Sequence, residues 1–188
     1  MSQIFDEKGN VVPVTLVEAG PCYITQIKKG NYEAVQIGLG KIKEKKIRKS
    51  QKNKPYRHLR EFKGDIDISK YKEGDKIDAS VFQENEKLRI SGISKGKGYA
   101  GVVKKWGFSG QSATHGTKHH GRTIGSVGSA FPQRVIKGKK MPGRMGYERI
   151  TIKGLKIVKV DLKNNLLAVK GALPGRKGTL LEIRAINS

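Results

Sequence analysis

The residues with the most chemistry to offer lie between positions 95 and 150. Twelve Lys and Arg side chains fall there with a single carboxylate, Glu148, and no Asp or Glu occurs from residue 87 to 147. A stretch so poor in acids cannot run acid–base chemistry on paired carboxylates or complete a Ser-His-Asp arrangement. It can neutralise phosphates. Residues 131–146 carry this furthest. Arg134, Lys137, Lys139, Lys140 and Arg144 follow one short path, Pro132 and Pro142 oppose helix, and Gly138, Gly143 and Gly146 admit close backbone approach. A polybasic address signal would need none of the interspersed Gly, Pro and Met, so a shaped probe is the better reading.

Three other groups belong to the same stretch. His115, Lys118, His119, His120 and Arg122 put imidazoles among cations. Zinc would ask for a helix and further ligands, but Gly116 and Gly121 weaken a helix and the one cysteine, Cys22, is remote. No metal or cofactor is expected, and the histidines suit phosphates, 2′-hydroxyls or base stacking better, with a merely solvated role as the plain alternative. Trp106-Gly107-Phe108 offers rings that either plug the end of a folded body or stack on an unpaired base, worth ~1–3 kcal/mol. Gly96-Lys97-Gly98-Tyr99-Ala100-Gly101 matches GxGxxG, but a dinucleotide site needs a helix next and an acid about 20 residues on. The following residues are β-branched, then basic, then Gly107. A Gly-rich turn presenting backbone N–H groups with Lys95, Lys97, Lys104 and Lys105 to phosphates fits better, and Arg149 ends the set. No GxxxxGK[ST] loop occurs, and no enzyme activity is expected.

The whole chain agrees. Its 188 residues include 39 Lys+Arg and 16 Asp+Glu, a formal charge of +23, with 36% hydrophobic residues. That charge opposes compaction unless a polyanion offsets it, which favours nucleic acid and leaves an anionic membrane second. No run approaches the ~18 apolar residues of a membrane span, and one cysteine excludes an internal disulfide framework. Residues 1–10 hold Asp6 and Glu7 and no apolar core, so neither a signal nor a transit peptide is expected and a cytoplasmic location is the default. The charge is concentrated. Residues 41–63 hold 11 cations against Glu44 and Glu61, and the 109 residues outside the two tracts carry a net charge of only +3. Half of the 24 glycines and three of the four histidines lie in 95–150. Such a segment buries too little apolar surface to offset an ordering cost of ~1–2 kcal/mol per residue, so it is expected to be irregular and to order against a partner. For 41–63, a solvated basic loop and peripheral phosphate contact are both open.

The elements that must hold these residues read as short strands: 11–17 (with Pro13 at an edge or strand start), 22–27 and 32–37 as a hairpin around residues 28–31, 79–82 and 88–93 as a second hairpin, then 150–152, 155–160, 166–169 and 180–183. Asn164 and Asn165 supply a tight turn. Residues 57–62 and 68–71 each suit one helical turn. Short strands with little helix argue for a mainly β chain, a small antiparallel barrel or sandwich. Strands on both sides of the basic stretch favour one discontinuous β body, 1–100 and 147–188, interrupted by an irregular extension at 101–146. An excursion of ~20 residues each way reaches at most ~70 Å.

Several separated runs are similar to one family in the same order. They are Ser94-Lys95-Gly96-Lys97-Gly98-Tyr99-Ala100-Gly101-Val102-Val103-Lys104, Ala113-Thr114-His115-Gly116, Lys137-Gly138-Lys139-Lys140-Met141-Pro142-Gly143 and Leu166-Leu167-Ala168-Val169-Lys170-Gly171-Ala172-Leu173-Pro174-Gly175. With Gln3-Ile4-Phe5-Asp6-Glu7 and Glu18-Ala19-Gly20-Pro21-Cys22 they resemble large-subunit ribosomal protein L-three of the bacterial type. The resemblance implies a translation-protein-type barrel on the subunit surface and an extension entering the rRNA toward the peptidyl-transferase centre. It implies a primary binder of large-subunit rRNA (23S type) that acts early in assembly, with ribosomal proteins L-fourteen and L-nineteen as neighbours and no membrane or small-molecule substrate.

The chain departs from that family in places. Relatives usually begin with a Gly-Leu-Gly-Lys-Lys-Gly-Met type segment before the run matched by Ser2–Phe5, so the first barrel strand is expected to be shortened or absent. Arg89 stands for an expected Asp or Asn, Lys105 for an expected Arg, and the proline common near Arg122-Thr123 is missing. Arg144 occupies the place of a glutamine that some relatives methylate. The expectation is a structural rRNA-binding component of the large ribosomal subunit. A general RNA chaperone or nucleic-acid condenser is the alternative, and a barrel enzyme with an RNA-docking arm, using acids such as Asp65, Asp67, Asp75 and Asp78, is a third.

Overall fold

The computed structural model describes residues 1–30, 32–64 and 71–186. The chain is mainly β. Its strands are β1 (Ser2–Phe5), β2 (Val11–Glu18), β3 (Cys22–Lys28), β4 (Ala34–Lys41), β5 (Tyr56–Lys63), β6 (Lys76–Ile77), β7 (Lys87–Ile93), β8 (Gly98–Ala100), β9 (Gly143–Met145), β10 (Arg149–Asp161), β11 (Leu166–Lys170) and β12 (Leu181–Ala185), with one short helix, α1 (Val102–Trp106). Two compact units result. One comprises Met1–Gly92, Thr151–Leu173 and Leu180–Ser188, and the other Ile93–Ile150 and Pro174–Thr179.

The first unit holds two sheets. The six-stranded sheet runs β1-β2-β11-β10-β7-β12 and the four-stranded sheet β5-β4-β3-β6. Alternation makes β2 a strand: Val12, Val14, Thr15 and Val17 are sheltered while Leu16 and Glu18 reach solvent. The register with β11 ends at Val14 and continues only as the Gly171 N–H donating to the Pro13 carbonyl at 2.9 Å, so the missing Pro13 N–H falls at the end of that pairing and is tolerated. Leu88, Ile90, Ile157, Leu167, Val169 and Ala79 are fully buried in one cluster. The larger of these contribute about 1.5–3 kcal/mol each. Ile24 and Val35 form a smaller cluster in the four-stranded sheet, covered by Ile27, Ile37 and Ile77.

Among the described residues the ladders do not close into a barrel. At the seam, β5 and β12 are the outer strands of their sheets and meet through side chains. Arg60 Nε lies 3.1 Å from Glu182, Arg184 donates to the Lys63 carbonyl at 2.8 Å, and the Arg184 guanidinium sits 5.0 Å from the Phe62 ring centre.

Several sequence expectations change here. Residues 57–62 form no helical turn but most of β5, because their polar groups find cross-strand partners on β3 and β12, such as Lys28 and Glu182. Residues 79–82 are not a strand. Asp78 and Ser80 favour a turn, and Ala79–Val81 coils into a single 3-10 turn with Ala79 buried. β7 therefore pairs with β12, not with a preceding strand. The two strands expected at 150–152 and 155–160 are one, β10, running through Gly154. The short first strand is present as the four residues of β1, closed against β2 by the Asp6–Asn10 turn. Asn31, Asp65 and Asp67, together with 68–70 of the expected second helical turn, lie outside the described residues. The hairpin of β3 with β4 and the Asn165 turn, at φ 51°, form as expected.

Candidate nucleic-acid interface

The second unit is rooted in a two-stranded ribbon. β8 pairs antiparallel with β9, placing Tyr99 opposite Arg144 and Ala100 opposite Gly143. The ribbon is extended by backbone bonds from Lys97 N–H to the Met145 carbonyl at 2.9 Å and from Ser94 N–H to the Glu148 carbonyl at 2.9 Å. Glu148 N–H returns a bond to Ser94 Oγ at 3.2 Å. Gly146 is obligatory at this root. Its φ is +73°, and a Cβ there would run into the Lys95 carbonyl. Lys95 and Lys97 are thereby fixed on the segment leading into β8, facing Met145 and Gly146.

A helix does follow the Gly-rich turn, contrary to expectation. α1 is one turn long, seats Val102 in the unit's interior and ends where Gly107 adopts φ 73° and returns its N–H to Val103. Its β-branched start is tolerated because Val102 is buried, so packing overrides propensity. Lys104 and Lys105 occupy the last turn, where a cation favours the helix dipole. Five residues with no acid after them do not make a dinucleotide site.

Trp106 is tied within its own unit. Its indole N–H donates to the Met141 carbonyl at 2.8 Å, joining outgoing and returning chain across 35 positions. Lys105 and Lys140 place their ammonium groups 5.0 and 5.7 Å from the ring centre, within cation–π range. From 107 to 142 there are turns and bends but neither helix nor strand, as expected of a glycine-rich basic stretch. Gln111 N–H bonds the Gly121 carbonyl at 3.1 Å, closing a small loop that carries His115, Lys118, His119 and His120 with Arg122 at its exit. His115 sits at φ 57° on this loop, not on a helix. Among the described residues no three His, Cys, Asp or Glu side chains are grouped to hold a metal. Beyond the loop a cis Phe131–Pro132 peptide precedes the turn in which Lys139 N–H meets the Ile136 carbonyl at 3.2 Å.

The candidate side chains are displayed along this unit. Lys95, Lys97, Lys104, Trp106, His115, Lys118, His119, His120, Arg122, Arg134, Lys137, Lys139, Lys140, Arg144 and Arg149 are exposed and Lys105 is half-buried. The clasp made by the Trp106–Met141 bond gathers Lys105, Trp106 and Lys140, while Arg134, Lys137 and Lys139 follow the irregular path. Two residues were not singled out in the sequence. Tyr99 and Tyr147 are largely exposed, and the Arg144 guanidinium lies 4.7 Å from the Tyr147 ring centre. The signal available was an aromatic beside glycine at each end of a basic segment.

The basic tract 41–63 behaves differently. Lys54 donates to Gln26 and Gln36 at 2.5 and 2.8 Å, and Lys63 lies 3.9 Å from the Tyr32 ring centre. Lys28, from β3, bonds Glu61 at 2.6 Å. That hydrogen bond raises the Lys28 pKa and holds the Glu61 carboxyl below its ordinary value. Part of this tract's polarity is therefore used within its own sheet.

The profile of the family described as Ribosomal protein L3 matches residues 63–164. A Large ribosomal subunit protein uL3 from Carboxydothermus hydrogenoformans (strain ATCC BAA-161 / DSM 6008 / Z-2901) is 46% identical over 194 aligned residues, covering 98% of this chain and 92% of the relative. The protein of the same description from Desulfitobacterium hafniense (strain Y51) is 45% identical over 194 residues, covering 98% and 91%. That from Petrotoga mobilis (strain DSM 10674 / SJ95) is 45% identical over 196 residues, covering 98% and 90%.

Proposed function

Since the chain belongs to the Ribosomal protein L3 family, we propose that it is a structural component of the large ribosomal subunit in the cytoplasm, binding large-subunit rRNA and catalysing no reaction. The observation that carries this is the stretch 93–150: twelve cations to one carboxylate, six of them on the irregular path 107–142 and six on the segments that flank it, with the path's two ends pinned by a ribbon and by the Trp106–Met141 bond. A folded root with an unfolded charge-bearing path suits a partner that supplies phosphates on several sides. Each neutralised phosphate releases counterions, so affinity falls with salt at a log–log slope of ~−0.7 to −0.9 per contact.

In this reading 1–100 and 147–188 form the body, and 101–146 is an extension directed toward the peptidyl-transferase centre, acting early in subunit assembly. The two sheets correspond to the halves of the barrel that the family resemblance implies, supported by the side-chain seam between β5 and β12. Ribosomal proteins L-fourteen and L-nineteen are the neighbours this placement implies. The extension orders fully only against rRNA. Strong hydrogen-exchange protection of 107–145 in the free protein would overturn that point. For the function itself, the test is co-sedimentation with large subunits through a high-salt wash, with competition by unrelated RNA. Retention with the subunit and selective displacement by large-subunit rRNA are expected. Equal competition by any RNA would instead mark a general RNA chaperone.

A further inference from the structure

Tyr147 is held in a backbone conformation that aromatic residues rarely adopt. Its φ is +59°, directly after Gly146 at +73°. A bulky residue there costs about 1–3 kcal/mol and persists only where its surroundings over-determine it. The surroundings do so: the Ser94–Glu148 bonds close one side, and the Lys95 carbonyl packs against Gly146. Yet the strain does not serve packing, because the Tyr147 side chain is 63% exposed. Glycine or asparagine would meet the backbone requirement more cheaply. The ring is therefore displayed.

What surrounds it points to an occupant. Arg144 lies over the Tyr147 ring at 4.7 Å, and its cross-strand partner on β8 is Tyr99, 77% exposed. Cross-strand partners share a face of the ribbon, so Tyr99 stands on the same side as Arg144, whose guanidinium lies over Tyr147. Lys95, Lys97 and Arg149 lie nearby in sequence on the two strands' continuations. Planar π faces amid cations match an unpaired nucleobase and the phosphates flanking it. We propose that Tyr99, Arg144 and Tyr147 form a stacking platform at the ribbon for an unpaired base of a single-stranded RNA segment. It rests on the rRNA-binding reading above and adds a contact that selects for unpaired RNA at the root of the extension.

The test uses the full chain and deproteinised large-subunit rRNA. Tyr147→Asn keeps a residue that tolerates the left-handed backbone and removes the ring, and Tyr99→Leu removes the second ring while keeping bulk. Each should lower affinity about 10-fold without changing the salt slope, since neither residue is charged. Tyr147→Phe should bind like the parent. The thermal midpoint of Tyr147→Asn should stay level or rise, which separates lost stacking from lost folding. Base-specific chemical probing should show at least one unpaired base protected by the parent and exposed with the variants. If the parent binds large-subunit rRNA selectively but both variants match it in affinity and protection, the platform is wrong and the function stands. If the parent shows no preference for that RNA, the functional reading itself fails. Tyrosine variants that bind RNA normally but lose retention on assembled subunits would assign the rings to a protein neighbour and overturn the proposal.

Discussion

The two basic regions of this chain have similar charge and opposite architecture. In 41–63 the cations stand on or beside a sheet, and polar groups of the body answer two of them: Gln26 and Gln36 for Lys54, and Glu182 of the neighbouring sheet for Arg60. In 93–150 the sequence provides one carboxylate for twelve cations, and Lys105, Lys140 and Arg144 lie against aromatic rings. Cation–π contact orients a cation without neutralising it. Charge density alone therefore does not identify a binding surface. What distinguishes the arm is that its own sequence supplies one carboxylate for twelve cations while the fold fixes the chain's entry and exit.

The comparison makes the body self-sufficient and the arm dependent on a partner, and this can be broken in four ways. The largest effect is expected in the body: Leu88→Ala opens a fully buried site and should cost about 2–5 kcal/mol in chemical denaturation. If that variant unfolds no more easily than the parent, the buried cluster is not what holds the body. Next, Lys137→Gln, Lys139→Gln and Lys140→Gln together should leave the denaturation midpoint unchanged and make the salt dependence of rRNA binding shallower by about 2–3 units of slope. A matched triple change at Lys45, Lys46 and Lys49 should flatten it less. Equal effects would erase the distinction between the tracts. Third, Gly146→Ala forces a side chain into a left-handed position against the Lys95 carbonyl and should cost about 1–3 kcal/mol. Hydrogen exchange should speed up in β8 and β9 and stay unchanged in β2 and β11. The smallest effect is a pH dependence of the body. Glu61 is held below its ordinary value of 4.5, chiefly by the Lys28 hydrogen bond. Its folded value is depressed, so its stabilisation is complete above pH 4.5 and fades as pH falls through the lower folded value. Glu61→Gln should lessen that acid sensitivity in a thermal melt.

Much of this was legible from residue types. The two tracts follow from counting charges, and β2, β3, β4, β11 and β12 follow from alternation or apolar runs between turn residues. What misled was polar sequence in sheltered places. His58, Arg60 and Glu61 look like a solvated turn, and only the cross-strand neighbours of β5 reveal a strand. Likewise Ala79 shows no period, and its burial comes from β7 just after it and from β10 and β11, both distant in sequence. At the interface the cations were visible but the clasp was not, because nothing in Trp106 announces a bond to a carbonyl 35 residues later. Tyr147 escaped notice because a single tyrosine carries no sign of its backbone angle.

The six-stranded sheet also sets a schedule. Its order interleaves strands made before the arm (β1, β2 and β7) with strands made after it (β10, β11 and β12). During synthesis β2 has β1 alone as a ladder neighbour until β11 arrives, and β7 has none of its own sheet until β10 follows. The long-range pairings that define the body therefore wait for the whole basic segment to be synthesised, and such non-local closure is slow and leaves apolar edges open meanwhile. On a nascent chain, the twelve cations of the arm emerge before their anchor exists, so the polyanion they meet in that interval has access to an unfinished sheet.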